Sequence, residues 1–263
     1  MLRKRSVISA LCVFWTTVGI NAQEVDSPAV EALVERIRTA PESVFKKFHE
    51  AGMDPVDHIT TSDEKEKVRK AFSLLPPLHQ KVLKAHLYSI SFMDSMPNTA
   101  LTSPIEGLPG SSKMFNITVR AAILKETISE WATWKENTCF IDSQDSGHEI
   151  IVDAGNLDAI VYILLHEATH VVDAVLNIAS HPGGAHDPVA AIPFTAGIWS
   201  EINMPTEKAT NALLETTRFR SGKPVAISLA PAIYEALRAT PFASLYSMAS
   251  WHEDLAEILT IYH

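Results

Sequence analysis

His166, Glu167 and His170 stand at the spacing HExxH inside VYILLHEATHVVDAV, residues 161–175. On a helix, positions four apart lie one above the other on a single face, so the two imidazoles project side by side. Two ring nitrogens so placed can bind a tetrahedral zinc ion at about 2.0–2.1 Å each. Glu167, one residue on from His166, would then lean over a remaining coordination position and could take a proton from a water held there. The pattern implies a hydrolytic metal centre built on one helix.

That helix must be central to the fold. Ile160, Ile163, Leu164, Val171, Val172 and Val175 leave it apolar on nearly every side. In such a place two histidines and a glutamate are costly unless something binds them. Asn156 or Asp158 is a suitable cap for its start, and the preceding EIIVDAG (149–155) has the β-branched run and turn glycine of a strand.

Two histidines leave one protein ligand to find, since a catalytic zinc takes three with an open fourth position. SWHEDLAEIL (250–259) offers Glu253 and, one turn later on the same face, Glu257. Glu253 is the expected ligand, with His252, Asp254 and Glu257 as alternatives. Glu257 would instead accept the other ring N–H of a ligand histidine and so fix its tautomer. Asp173, three residues after His170, is a competing ligand; three ligands on one short helical face are cramped, which favours a supporting role behind the histidines.

The continuation HExxHxVD (166–173), the later ExxAE (253–257) and Tyr246 seven residues before Glu253 together resemble the gluzincin zinc metallopeptidases, most closely the anthrax lethal factor-like catalytic domains. The resemblance covers about the last hundred residues in register. It implies Glu167 as general base, Glu253 as third zinc ligand and Tyr246 as a hydroxyl donor to the developing oxyanion. Without it, Tyr246 in ASLYSMAS (243–250) would read as a tyrosine at the edge of a core.

Around these residues the pattern predicts an α+β fold, mostly helical, with a small mixed sheet over the active-site helix, and the resemblance implies that it is zincin-like. LYSISFMD (87–94) and SKMFNITVRAAIL (112–124) read as strands, separated by a loop over 97–112 rich in Pro, Gly, Ser and Thr, and KETISEWATWKEN (125–137) as a helix. The same resemblance implies a sheet edge that pairs with an extended peptide substrate, with MFNITV or the segment before Cys139 as the candidates for it. Residues 23–75, with helical spacing around Pro41 and a plausible cap at Ser62, are expected to form an amino-terminal helical lobe, and 76–263 the zincin-like domain. ATNALLETT (209–217) and PAIYEALRAT (231–240) read as further short helices. His79 and His86 read as surface or hydrogen-bonded structural residues rather than ligands, and His181, His186 and Asp187 as solvated loop residues.

Residues 1–22 have the form of a secretory signal peptide: Arg3, Lys4 and Arg5, an apolar run, then Ala22 before Gln23. Its removal takes the formal net charge from -9 to -12, a surface that repels nucleic acid and anionic membranes. Cys12 leaves with it, so Cys139 cannot form an intramolecular disulfide and is expected buried and inert. With 46% hydrophobic residues the chain can bury one sizeable core.

The sequence therefore implies an exported, secreted or periplasmic, zinc-dependent peptidase acting on peptides or proteins, without stable membrane insertion once the leader is gone. Its rivals are a zinc-binding envelope protein that binds a partner without turnover, and a hydrolase of non-peptide amides in the cell wall.

Overall fold

The computed structural model describes residues 28–105, 113–141, 147–179 and 192–263. The expected leader and the loop histidines His181 and His186 lie outside these residues. The fold is α+β, about half helical with small mixed sheets. Helices α1 (Pro28–Val34) and α2 (Glu42–Glu50) lead to strand β1 (Val56–Asp57), helices α3 (Ser62–Leu74) and α4 (Pro77–His86), and strands β2 (Leu87–Asp94), β3 (Ala100–Pro104) and β4 (Phe115–Arg120). A 3₁₀ turn at Ala121–Lys125, α5 (Ile128–Asn137), β5 (Phe140–Ile141) and α6 (Ala159–Leu176) follow. After them come β6 (Trp199–Glu201), β7 (Met204–Pro205), α7 (Arg218–Ser221), β8 (Val225–Ala226), α8 (Ala230–Arg238) and α9 (Trp251–Tyr262).

Two compact units divide the chain. Among the described residues the sheet unit takes Pro28 to Ile128 together with Asn156–Asn177, and the C-terminal unit takes Ser129–Gly155 and Ile178–His263. Helices α1 to α3, expected as a separate lobe, therefore share a unit with the sheet and with α6, on which α3 and α4 pack. Thr61, one residue earlier than the expected cap, closes α3 with a capping box to Glu64.

The sheet runs β1-β2-β4-β3, with β2 and β4 parallel and both edge pairs antiparallel. Ile90, Phe92, Ile117 and Val119 on one face and Ser89, Ser91, Asn116 and Thr118 on the other are all buried, the signature of central strands covered on both faces. The second group forms a buried polar seam: Ser89 Oγ donates to Asn116 Oδ1 at 2.7 Å, and Asn116 Nδ2 donates to Thr118 Oγ1 at 2.6 Å. Ser89 faces Asn116 and Ser91 faces Thr118, so a slip of one residue would strand these groups and the seam pins the register.

Three expectations are corrected here. MFNITV is interior, because β4 has β2 on one side and β3 on the other; the edges are β1 and β3, and the segment before Cys139 is helical. Strand β3 arises inside the stretch read as a loop, and its ladder to β4 supplies the order that its own composition does not. EIIVDAG is not a strand. Its backbone is satisfied by one stripe of α5: Thr133 Oγ1 accepts from Val152 N–H at 2.9 Å, Asn137 Nδ2 donates to Ile150 O at 2.9 Å, and Ser129 Oγ bonds Ala154 N–H and Gly155 O. Side chains at four-residue spacing thus stand in for a partner strand.

In the C-terminal unit Trp199, Ile233, Leu245, Met248 and Trp251 form the core, flanked by the short pairs β5 with β8 and β6 with β7. ATNALLETT makes only a 3₁₀ turn at Leu214–Thr216, because the Asn211 side chain captures the N–H groups of Leu213 and Leu214. PAIYEALRAT supplies α8 as expected.

His58 ties the sheet unit's front together. Its Nδ1 lies 3.0 Å from Asp94 and its Nε2 3.1 Å from Glu64, and only the imidazolium can donate to both. Partial burial opposes the charge, but the hydrogen bonds to Asp94 and Glu64 outweigh it and raise the pKa above its ordinary value. A group raised on folding stabilises fully below its unfolded pKa and loses that contribution as pH climbs through the folded one. Urea midpoints of metal-free protein should therefore fall between pH 6 and pH 8.5, the His58 contribution being about 1 kcal/mol after discounting for exposed Asp94. His58→Gln should flatten that slope; an unchanged slope would refute the ion-pair account.

Candidate functional site

Helix α6 forms because its apolar residues wrap the whole cylinder and find cover. Of its 18 residues 12 are buried, among them His166, Glu167, Thr169 and Asp173. By length and composition it could cross a membrane, yet 67% of that window is buried within the molecule. Asp158 occupies the N-cap without a side-chain cap bond, since its carboxylate instead takes Lys67 Nζ at 2.7 Å. Asn177, left-handed at φ 54°, ends the helix with its N–H on Asp173 O.

The spacing of His166 and His170 brings their Nε2 atoms to 3.2 Å, with the rings edge-on at 82°. Two nitrogens on a tetrahedral zinc stand about 3.3–3.4 Å apart, so the pair already has the bite of two zinc ligands. Glu167 is buried, and Thr102 Oγ1 on β3 donates to its Oε2 at 2.7 Å. Below the pair, Thr169 Oγ1 donates to Leu165 O at 2.8 Å and takes a hydrogen bond from His79 Nε2 at 3.0 Å. That fixes His79 as a structural residue carrying its proton on Nε2, as its setting in the sequence implied.

The C-terminal unit carries the candidate carboxylates on α9. Ser250 caps α9 and its hydroxyl accepts from Glu253 N–H at 3.3 Å, setting Glu253 in the first turn. Of the alternatives to Glu253, Asp254 is buried against Trp199, whose Nε1 donates to it at 3.0 Å; burial, with the charge of Glu257 adding, pushes its pKa to about 7. His252 Nε2 accepts from the indole of Trp251 at 2.9 Å.

Glu257 is buried and accepts from Ser244 Oγ at 2.6 Å, with Lys135 Nζ at 3.4 Å. That ammonium also sits 4.1 Å from the ring centroid of Tyr246 and 5.0 Å from that of Trp131, and Phe219 meets the Tyr246 ring edge-on at 4.9 Å. Tyr246 is thus gripped on its ring by a cation and an aromatic edge. Cys139 is buried as expected, and burial foremost, with Glu136 nearby, pushes its thiol up to about 12, which removes it as a nucleophile.

The sheet unit thus gathers His166, Glu167, His170 and Asp173 on one helix, and the C-terminal unit carries Tyr246, Glu253 and Glu257. Sequence reasoning missed Thr102, Lys135 and Ser244. Thr102 lies in a stretch without strand pattern, and Lys135 in TWKEN has the look of any solvated helix lysine. No family model, curated protein or solved structure matches the chain.

Lys135 keeps 15% of its side-chain surface and Glu257 only 2%, so removing the cation leaves a carboxylate charge buried beside an empty position. Lys135→Met should cost about 2–4 kcal/mol in urea unfolding, and adding Glu257→Gln should recover part of it. A loss below about 0.5 kcal/mol would place the pair among those that contribute nothing.

Proposed function

We propose that the chain is a zinc-dependent peptidase, exported from the cytoplasm, in which His166, His170 and Glu253 hold the metal and Glu167 is the general base. The observation that carries this reading is the 3.2 Å approach of two imidazole nitrogens on a helix otherwise sealed in apolar side chains, with a buried carboxylate one residue away. A structural zinc needs four protein ligands and no base, whereas two imidazoles and one carboxylate leave a position for water. In this reading His166, His170 and Glu253 would make up that donor set, one ligand atom each. The similarity of HExxHxVD, Tyr246 and ExxAE to the gluzincin pattern, nearest to the lethal factor-like domains, supports the same assignment.

Zinc bound there would act as a Lewis acid towards a carbonyl oxygen and acidify a water. Glu167 accepts the proton of the attacking water and returns it to the departing amine. Tyr246 donates its hydroxyl to the oxyanion as charge develops. Asp173 and Glu257, both buried, would orient the ligands by accepting ring N–H groups. Strand β3, at the sheet edge and joined to Glu167 through Thr102, takes the place of MFNITV as the strand along which an extended peptide would pair.

The test separates binding from chemistry. Glu167→Gln should retain one zinc per chain and lose turnover of casein or a fluorogenic peptide mixture by about 10²-fold or more. Glu253→Ala should weaken zinc retention against a chelator while leaving the fold intact. A Glu167→Gln protein that cleaves at the wild-type rate, or a wild-type protein that takes up no zinc, would overturn the reading.

A further inference from the structure

We infer that Thr102 is a positioning residue for Glu167, fixing which carboxylate oxygen acts as the base; this rests on the reading of Glu167 as general base. The Thr102 hydroxyl has one proton. At 2.7 Å it is given to Glu167 Oε2, and the 3.3 Å approach of the same oxygen to Glu167 O is the weaker arm. A carboxylate that accepts on Oε2 has its torsion set, and Oε1 becomes the atom that meets the incoming proton.

The geometry behind Thr102 is stiff. Its β-branched side chain has restricted rotamers, and its backbone is locked opposite Ile117 in the antiparallel ladder between β3 and β4. Strand β4 in turn is held in register on β2 by the polar seam of Ser89, Asn116 and Thr118. A glutamate on a helix has three side-chain torsions, and a solvated one samples many rotamers. Here the edge strand removes that freedom before substrate arrives, which is what a base needs if its proton transfer is to occur from one orientation. Because β3 is also an edge strand among the described residues, the strand that would align a peptide and the hydroxyl that aims the base belong to one ladder.

The experiment compares Thr102→Val, which keeps shape and removes the hydroxyl, with Thr102→Ser, which keeps the hydroxyl. With zinc loaded and casein-derived fluorogenic peptides as probe, Thr102→Val should lower kcat about tenfold or more with KM and zinc content unchanged, and Thr102→Ser should recover most of the loss. A second readout needs neither metal nor turnover: urea midpoints of zinc-free wild type, Thr102→Val, Glu167→Gln and the double variant. Coupled residues predict a double variant no less stable than the worse single one; strictly additive midpoint shifts would overturn the inference. So would a Thr102→Val enzyme with wild-type kcat. If the wild type binds zinc yet cleaves nothing, the peptidase reading fails while the additivity test still decides whether Thr102 holds Glu167.

Discussion

A helix that is apolar around its whole circumference cannot carry two imidazoles and a carboxylate inward without giving them something to do. That constraint governs the sheet unit. Burial of Ile160, Leu164, Val171 and Val172 fixes α6 in the core, and the four-residue spacing then fixes where His166 and His170 meet. Three neighbouring elements hold that helix. Strand β3 reaches Glu167, α4 reaches Thr169 through His79, and α3 reaches the N-cap through Lys67 and Asp158. Each of these contacts satisfies a polar atom that the apolar surroundings would otherwise penalise.

The C-terminal unit solves a similar problem with charge. Glu257 and Asp254 are both buried one turn apart on α9, and each is answered by a specific donor: Lys135 and Ser244 for the first, Trp199 for the second. Glu253, immediately before Asp254 in the capped first turn, is half-buried and the least buried of the three. The aromatic grip on Lys135 explains how an ammonium is kept beside a carboxylate at low solvent exposure: two ring faces replace part of its lost hydration.

What the sequence revealed and what it concealed divides along the same physical line. The α6 helix, β2 and the body of β4 were legible because hydrophobic period alone determines them. Strand β3 was hidden in a Pro- and Thr-rich stretch, since an edge strand owes its conformation to the neighbour that pairs with it. The run Ile150, Ile151, Val152 misled in the opposite direction: its β-branched residues favour extension, but the donors and acceptors facing it are side chains of α5. Thr102 and Lys135 could not be read at all, because their partners lie 65 and 122 positions away in the chain. The histidine pair was readable because it is local; its supports were not, because they are contacts between distant segments.

The central claim concerns the metal, and zinc K-edge X-ray absorption on protein loaded with one equivalent of zinc addresses it most directly. The account predicts nitrogen and oxygen neighbours at about 2.0–2.1 Å with the outer scattering of two imidazoles, falling to one in His170→Ala. Zinc that washes away, or a coordination shell that is the same in His166→Ala and His170→Ala as in the wild type, would contradict it.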